Sequence, residues 1–210
     1  MAGNAVVHIV DDDEPLRRAL DRLFRTVGLE TRSYGSAHDF IHAPRLDVPG
    51  CIVLDVRLPG MSGIDFHEQL ARLGIRLPVV LMTGHGDVPM SVRAMKAGAV
   101  DFLSKPFRDQ DMLDAVAAAI NRDRECRSAD SGAIDLRDRL ATLSPREQHV
   151  MILVTAGKKN KQVAEGLGIS EVTVKIHRGA AMRKMGARTL ADLVRMAESL
   201  KAQGALVDRG

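Results

Sequence analysis

A chain of 210 residues with 45% hydrophobic and 27% charged residues has the make-up of a globular protein with room for two small domains, and excludes wholesale disorder. No apolar run approaches the ~18 to 20 residues of a membrane helix, and the opening MAGNAVVHIVDDDE has no basic stretch ahead of its apolar one, so neither a membrane span nor a secretion signal is expected. Two cysteines, Cys51 and Cys126, make no disulfide framework or metal-ligand set, and the expected setting is the cytoplasm. The net charge of +3 is uneven: residues 1–122 carry 14 Lys/Arg against 16 Asp/Glu, and the remaining 88 carry 16 against 11. A polyanion partner therefore belongs to the basic C-terminal part.

Up to residue 121, short β-rich runs alternate with helical patterns. Strands are predicted over 6–10, 30–33, 51–54, 79–82 and 100–103, and the first helix over 14–27, where Leu16, Ala19, Leu20, Leu23 and Phe24 make a one-sided apolar stripe. The runs VVHIV, CIVL and VVLM are apolar throughout, as in strands covered on both faces. Cys51, at the head of one of them, reads as a small buried hydrophobe. Five such units predict an α/β, doubly wound, five-stranded parallel sheet. Residues 122–141, RDRECRSADSGAIDLRDRLA, are charged, small and poor in core residues and read as a linker, either flexible around Ser131–Gly132 or continuing as an exposed helix.

The remainder is predicted to be a small all-α, four-helix domain over 142–204, with 205–210 as a tail. Ser144-Pro145-Arg146-Glu147 reads as a capping box with Pro at N1, and Gly157 ends that helix. A second helix is predicted over 161–167, Gly168 makes the turn, Ser170 and Thr173 start a third running to 185, and a fourth covers 190–200. Helix, glycine turn and a second helix with a basic side form a helix-turn-helix pattern.

In parallel sheets, ligands bind beyond the carboxyl ends of the strands. Asp11, Asp12 and Asp13 follow the first strand there, Asp55 the third, Thr83 the fourth and Lys105 the fifth. Crowded carboxylates need protons or a cation, and an oxygen-lined site with few protein ligands suits Mg²⁺. Asp55 is the candidate nucleophile, because a carboxylate can form an acyl phosphate. Lys105 offers a point charge for a phosphoryl oxygen and Thr83 a hydroxyl. Asp13 and Glu14 read as helix-terminal acids instead.

The segments VVHIVDDDEPLRRAL, VLDVRLPGMSG, MTGHGD and DFLSKPF resemble those of bacterial response-regulator receiver domains over residues 5 to 121. The resemblance implies Asp55 as phosphoacceptor and Mg²⁺ or Mn²⁺ held by Asp11, Asp12, Asp55 and the backbone carbonyl of Arg57. It implies Thr83, Lys105 and the aromatic Phe102 as switch residues, and a cis Lys105–Pro106 bond. Arg57 and His85, two residues beyond Asp55 and Thr83, stand where they would border the phosphoryl group and tune its hydrolysis.

Residues 143–197, with NKQVAEGLGIS, TVKIHR and MRKMG, are similar to the DNA-binding domains of NarL/FixJ (LuxR-type) regulators, with the receiver nearest the FixJ branch. That implies DNA contact by Thr173, Lys175, Ile176 and Gly179, with His177, Arg178, Lys161 and Lys184 near phosphates. Lys158, Lys159 and Lys161 read equally as a solvated loop. Gly179 departs from the family pattern, since glycine offers no side chain to a base. The implied function is a two-component response regulator: a sensor histidine kinase phosphorylates Asp55, which controls homodimerisation and binding to double-stranded promoter DNA, with RNA polymerase as a further partner. The alternatives are a phosphorylation-independent DNA-binding regulator and an Asp/Mg²⁺ phosphatase; Asp55-Val56-Arg57 lacks the second acid a phosphatase would need two residues on.

Overall fold

The computed structural model describes residues 5–44, 46–84 and 88–206. The chain divides into two compact units, one ending at Arg127 and one beginning at Ser128.

The first unit is built on a five-stranded parallel sheet in the order β2-β1-β3-β6-β7, from β1 (Val6–Val10), β2 (Glu30–Tyr34), β3 (Gly50–Asp55), β6 (Val79–Thr83) and β7 (Asp101–Ser104). The three central strands β1, β3 and β6 are buried at every position, which their unbroken apolar runs require. A two-residue hairpin, β4 (Arg57–Leu58) with β5 (Met61–Ser62), follows β3. Helices α1 (Glu14–Thr26), α2 (Ala37–His42), α3 (Gly63–Arg72), α4 (Val88–Lys96) and the part of α5 (Asp109–Ala141) up to Arg127 complete it. Alternate strand residues feed two half-cores. One holds Ile52, Leu54, Leu81, Phe40, Phe66 and Ala94. The other holds Ile9, Val53, Met82, Leu20, Phe24, Met112 and Val116. Cys51 is fully buried, as a small hydrophobe, and burial pushes its thiol well above the usual range.

Helix α5 runs unbroken through Ser131 and Gly132, so the alternative of a flexible stretch there is corrected in favour of continuous helix. Its first part is anchored by Met112, Ala115, Val116, Ala119 and Ile120. From residue 128 to 135 every position except the half-buried Ala133 is exposed. Burial resumes only with Leu136 and Leu140, in the second unit.

That second unit holds α6 (Pro145–Thr155), α7 (Asn160–Leu167), α8 (Glu171–Met185) and α9 (Leu190–Ala202) around Val150, Met151, Val163, Val174, Ala181, Met185, Leu193 and Leu200. The capping box forms: the Ser144 hydroxyl accepts from the Glu147 N–H at 3.3 Å, and the Glu147 carboxylate accepts from the Ser144 N–H at 2.7 Å. Gly168 closes α7 at φ 63°, in the left-handed region where a glycine is the cheap choice.

Candidate phosphoacceptor site and DNA-facing helix

Strand register brings the acidic residues together. Val10 pairs with Leu54, so Asp11 and Asp55 emerge side by side from β1 and β3. Asp55 pairs with Met82, and Thr83 with Ser104, which brings Lys105 to the same edge. A backbone bond of 2.6 Å from the Lys105 N–H to the Thr83 carbonyl fastens that edge. The Lys105–Pro106 bond is cis.

One ammonium serves two carboxylates: Lys105 Nζ donates to Asp55 Oδ1 at 2.7 Å and to Asp11 Oδ2 at 2.8 Å. The second Asp55 oxygen accepts from the Arg57 N–H at 2.7 Å. Asp11 is 1% exposed and Asp55 4%. Burial pushes the Asp55 carboxyl above the usual range despite hydrogen bonds and charge from Lys105, with Asp11 adding repulsion. For Lys105, burial works against the charge, but the hydrogen bonds and charges of Asp11 and Asp55 outweigh it and hold the ammonium above its usual range. The carboxylate thus carries the strain of the cluster, and the lysine stays protonated.

Asp12 is exposed and does not join the cluster: among the described residues no three His, Cys, Asp or Glu side chains gather as a metal site. Thr83 is fully buried at the end of β6. Phe102 is half-buried against the half-core that contains Leu81 and Ala94. The Arg57 side chain is exposed, and His85 lies outside the described residues. Asp13 is the N-cap of α1, accepting from the Leu16 N–H at 3.2 Å, and Glu14 lies in its first turn.

Three polar residues were not singled out from sequence. Arg17 Nη1 donates to the Asp11 backbone carbonyl at 2.6 Å, holding the loop that carries the acids. Its arginine four positions past the acidic triplet was the only signal. Asp123, 5% exposed, accepts from the Gly50 N–H at 2.9 Å and from Arg127 Nε at 2.8 Å, pinning α5 to the start of β3. His8 lies within the apolar β1, its Nδ1 3.2 Å from the Tyr34 hydroxyl, and burial lowers its pKa to about 4 with Arg32 adding to the effect.

On α8, Val174 is buried while Val172 and Ile176 are 65% and 64% exposed. Ile176 is therefore not a core residue; with Lys175 it forms the exposed face. His177, Arg178 and Gly179 are half-buried, and Lys161 is exposed at the start of α7. The Thr173 hydroxyl is 2.8 Å from that of Ser170, in the cap of its own helix. Lys184 is also engaged within the domain, donating to the Glu147 carboxylate at 2.6 Å and the Thr142 carbonyl at 3.1 Å. That hydrogen bond and the Ser144 N–H hold the Glu147 carboxyl below its usual range. Lys158, Lys159, Lys161 and Arg178 line a groove of about 610 Å³ beside Leu190.

The response regulator receiver domain family matches residues 7–117, and the luxR family of bacterial regulatory proteins matches residues 141–197. The transcriptional regulatory protein FixJ of Rhizobium meliloti is 46% identical over 193 residues, which are 91% of this chain and 94% of that protein. The chain is a NarL/FixJ response regulator. Nodulation protein W of Bradyrhizobium diazoefficiens is a still closer relative of this response regulator, 58% identical over 196 residues, 93% of this chain and 86% of that protein. The solved structure of the response regulator StyR matches with a TM-score of 0.83 and 44% identity, covering 93% of this chain and 99% of that one. A response regulator of this family regulates transcription; its receiver implies a kinase partner and its LuxR-type domain implies DNA binding. Among the described residues, no helix is long and apolar enough to cross a membrane.

Proposed function

We propose that Asp55 accepts a phosphoryl group from a sensor histidine kinase and that this phosphorylation controls dimerisation and promoter binding. The observation that carries the reading is the convergence of Asp11, Asp55 and Lys105, from three separate strands, at one edge of the sheet. A carboxylate oxygen of Asp55 bonds to phosphorus as the phosphohistidine P–N bond breaks, and the departing imidazole keeps the electron pair. Lys105 then meets a phosphoryl oxygen as a point charge, and the Thr83 hydroxyl hydrogen-bonds another. Thr83 moves toward the phosphoryl group and Phe102 turns inward behind it, so that a local charge change biases the surface of α4, β7 and α5. Val88, Val92 and Met95 on α4, exposed at 76%, 46% and 49%, favour that surface as the homodimer contact.

Two buried carboxylates with hard oxygen donors and a net negative charge fit Mg²⁺ or Mn²⁺. Asp11, Asp12, Asp55 and the Arg57 carbonyl would hold it, Asp12 turning in to join. The cation supplies neutralisation of charge shared by the incoming phosphate and the attacking carboxylate. On the DNA side, Lys175 and Ile176 face the major groove, Thr173 and Gly179 bring the helix backbone close, and Lys161, Arg178 and His177 meet phosphates. Lys184, shared with Glu147, contributes less. RNA polymerase is the further partner at a promoter.

The test is acetyl phosphate with Mg²⁺, read by intact mass, light scattering and promoter-DNA binding. One phosphoryl group, dimer formation and tighter DNA binding are expected together, and all three should vanish in Asp55→Asn. DNA affinity and oligomeric state that ignore both the phosphodonor and the substitution would instead establish phosphorylation-independent binding.

A further inference from the structure

Helix α2 (Ala37–His42) is short but firmly seated. Ser36 caps it, its hydroxyl accepting from the Asp39 N–H at 3.1 Å, and Ala37 and Phe40 are buried. The Phe40 ring meets Tyr34, His8 and Phe66 edge-on, at 5.3, 5.4 and 6.1 Å. The other side of the helix carries His38 and His42, both exposed. Four residues apart on a helix, they share one face, and their rings lie 4.1 Å apart, centroid to centroid, tilted by 37°.

The tautomer of His42 is fixed by its neighbour. Its Nδ1 is 2.8 Å from the His38 backbone carbonyl. A carbonyl only accepts, so Nδ1 carries a hydrogen, and in the neutral ring that leaves the lone pair on Nε2. A ring nitrogen donating to a backbone carbonyl, with the other free, is the state in which histidines bind metals.

We propose that His38 and His42 form a solvent-open site for a borderline divalent transition cation such as Cu²⁺, Ni²⁺ or Zn²⁺. Two imidazoles on one face, one turn apart, are the ligand pair that helical zinc sites use. Among the described residues no third His, Cys, Asp or Glu gathers with them, so water fills the remaining positions and the ion exchanges readily. The ligand chemistry sets selectivity: imidazole favours Cu²⁺ over Ni²⁺ and Zn²⁺, and leaves Mg²⁺ to the oxygen donors of the acidic site. Binding would tie the start of α2 to its end and make the helix more stable. The site shares no residue with the phosphoacceptor cluster, and it stands or falls independently of the function proposed above.

The experiment uses the full chain carrying Cys126→Ser, because Cys126 is an exposed thiol that would compete for the metal. Cu²⁺ is titrated calorimetrically and the bound ion examined by electron paramagnetic resonance. One ion with two equatorial nitrogens is expected, and Zn²⁺ should raise the urea midpoint reported by Tyr34 fluorescence. His38→Gln and His42→Gln should each weaken binding at least about tenfold, since losing a ligand costs no less than losing an outer partner. The two-nitrogen signal should persist in excess Mg²⁺, which fills the acidic site, and in His149→Gln, an exposed histidine of α6. The proposal is overturned by full affinity in both glutamine variants, by a one-nitrogen spectrum, or by loss of the two-nitrogen signal in excess Mg²⁺.

Discussion

Replacing Asp55 by asparagine should make the receiver more stable, even though it removes a residue with two hydrogen bonds and an ion pair. Asp55 and Asp11 each lie within 2.8 Å of one nitrogen, so their oxygens are no more than about 5.5 Å apart. At an effective dielectric constant of ~20, that separation costs about 3 kcal/mol of repulsion, and a carboxylate 2.7 Å from an ammonium gains about 6 kcal/mol. Desolvating the carboxylate costs several kcal/mol more, and the raised pKa says that burial wins. Asparagine discards all three terms and leaves Lys105 paired with Asp11, so that repulsion of about 3 kcal/mol plus several of desolvation outweigh an attraction of about 6 kcal/mol and the balance at neutral pH favours the variant. The sign with pH follows from the raised folded-state pKa. Wild-type stability from this group is fully present below the ordinary carboxylate pKa and is lost as pH rises through the folded value. The advantage of the variant should therefore be absent near pH 4, grow above it and level off. Urea unfolding in chelator, followed by Tyr34 fluorescence, isolates the receiver, because the chain has one tyrosine and no tryptophan. A variant less stable than wild type at pH 7, or a difference independent of pH, would refute the electrostatic account.

Other substitutions probe packing and backbone. A Cβ at Gly63 would sit 2.1 Å from the Asp55 carbonyl and 2.9 Å from the Val56 Cα, both backbone atoms. Gly63→Ala should cost about 1–3 kcal/mol in a thermal melt and slow acetyl-phosphate labelling; a melt at the wild-type temperature would show that the hairpin yields freely. Asp123→Ala leaves the buried Gly50 N–H without its acceptor and should cost about 1–3 kcal/mol, against less for Asp123→Asn. Equal urea midpoints for the two would assign the cost to the Arg127 pair instead. Gly179→Ala should stabilise the DNA-binding unit by about 1 kcal/mol, because the nearest atom to the added methyl is the Arg183 guanidinium at 3.6 Å. A lowered melting temperature for that unit would mean that the glycine relieves a contact not apparent from this distance.

The parallel sheet was readable because its central strands are buried on both faces and so are written as unbroken apolar runs. The strand-end rule then located Asp11, Asp55, Thr83 and Lys105 without any knowledge of register. What it could not do was distinguish acids by environment: Asp11 is sealed in and Asp12, its neighbour, faces solvent. Arg17 and Asp123 escaped notice because each acts on a backbone group of a residue distant in sequence, and such bonds leave no local pattern. Lys184 shows the converse. The family resemblance implied phosphate contact for it, and only the fold brings Glu147 within reach. In α8, burial separates Val174, which is in the core, from Val172 and Ile176, which face solvent.

The middle of α5 is held differently from its ends. Between residues 128 and 135 it has almost no buried surface, and it includes a glycine whose propensity disfavours helix by about 1 kcal/mol relative to alanine. There the helix relies on its own backbone bonds and on the nucleus supplied by the packed turns on either side. A few residues of helix so exposed can melt at little cost while both cores stay intact. This makes the segment the natural point for a protease to enter, and for one unit to complete its folding while the other is still unformed.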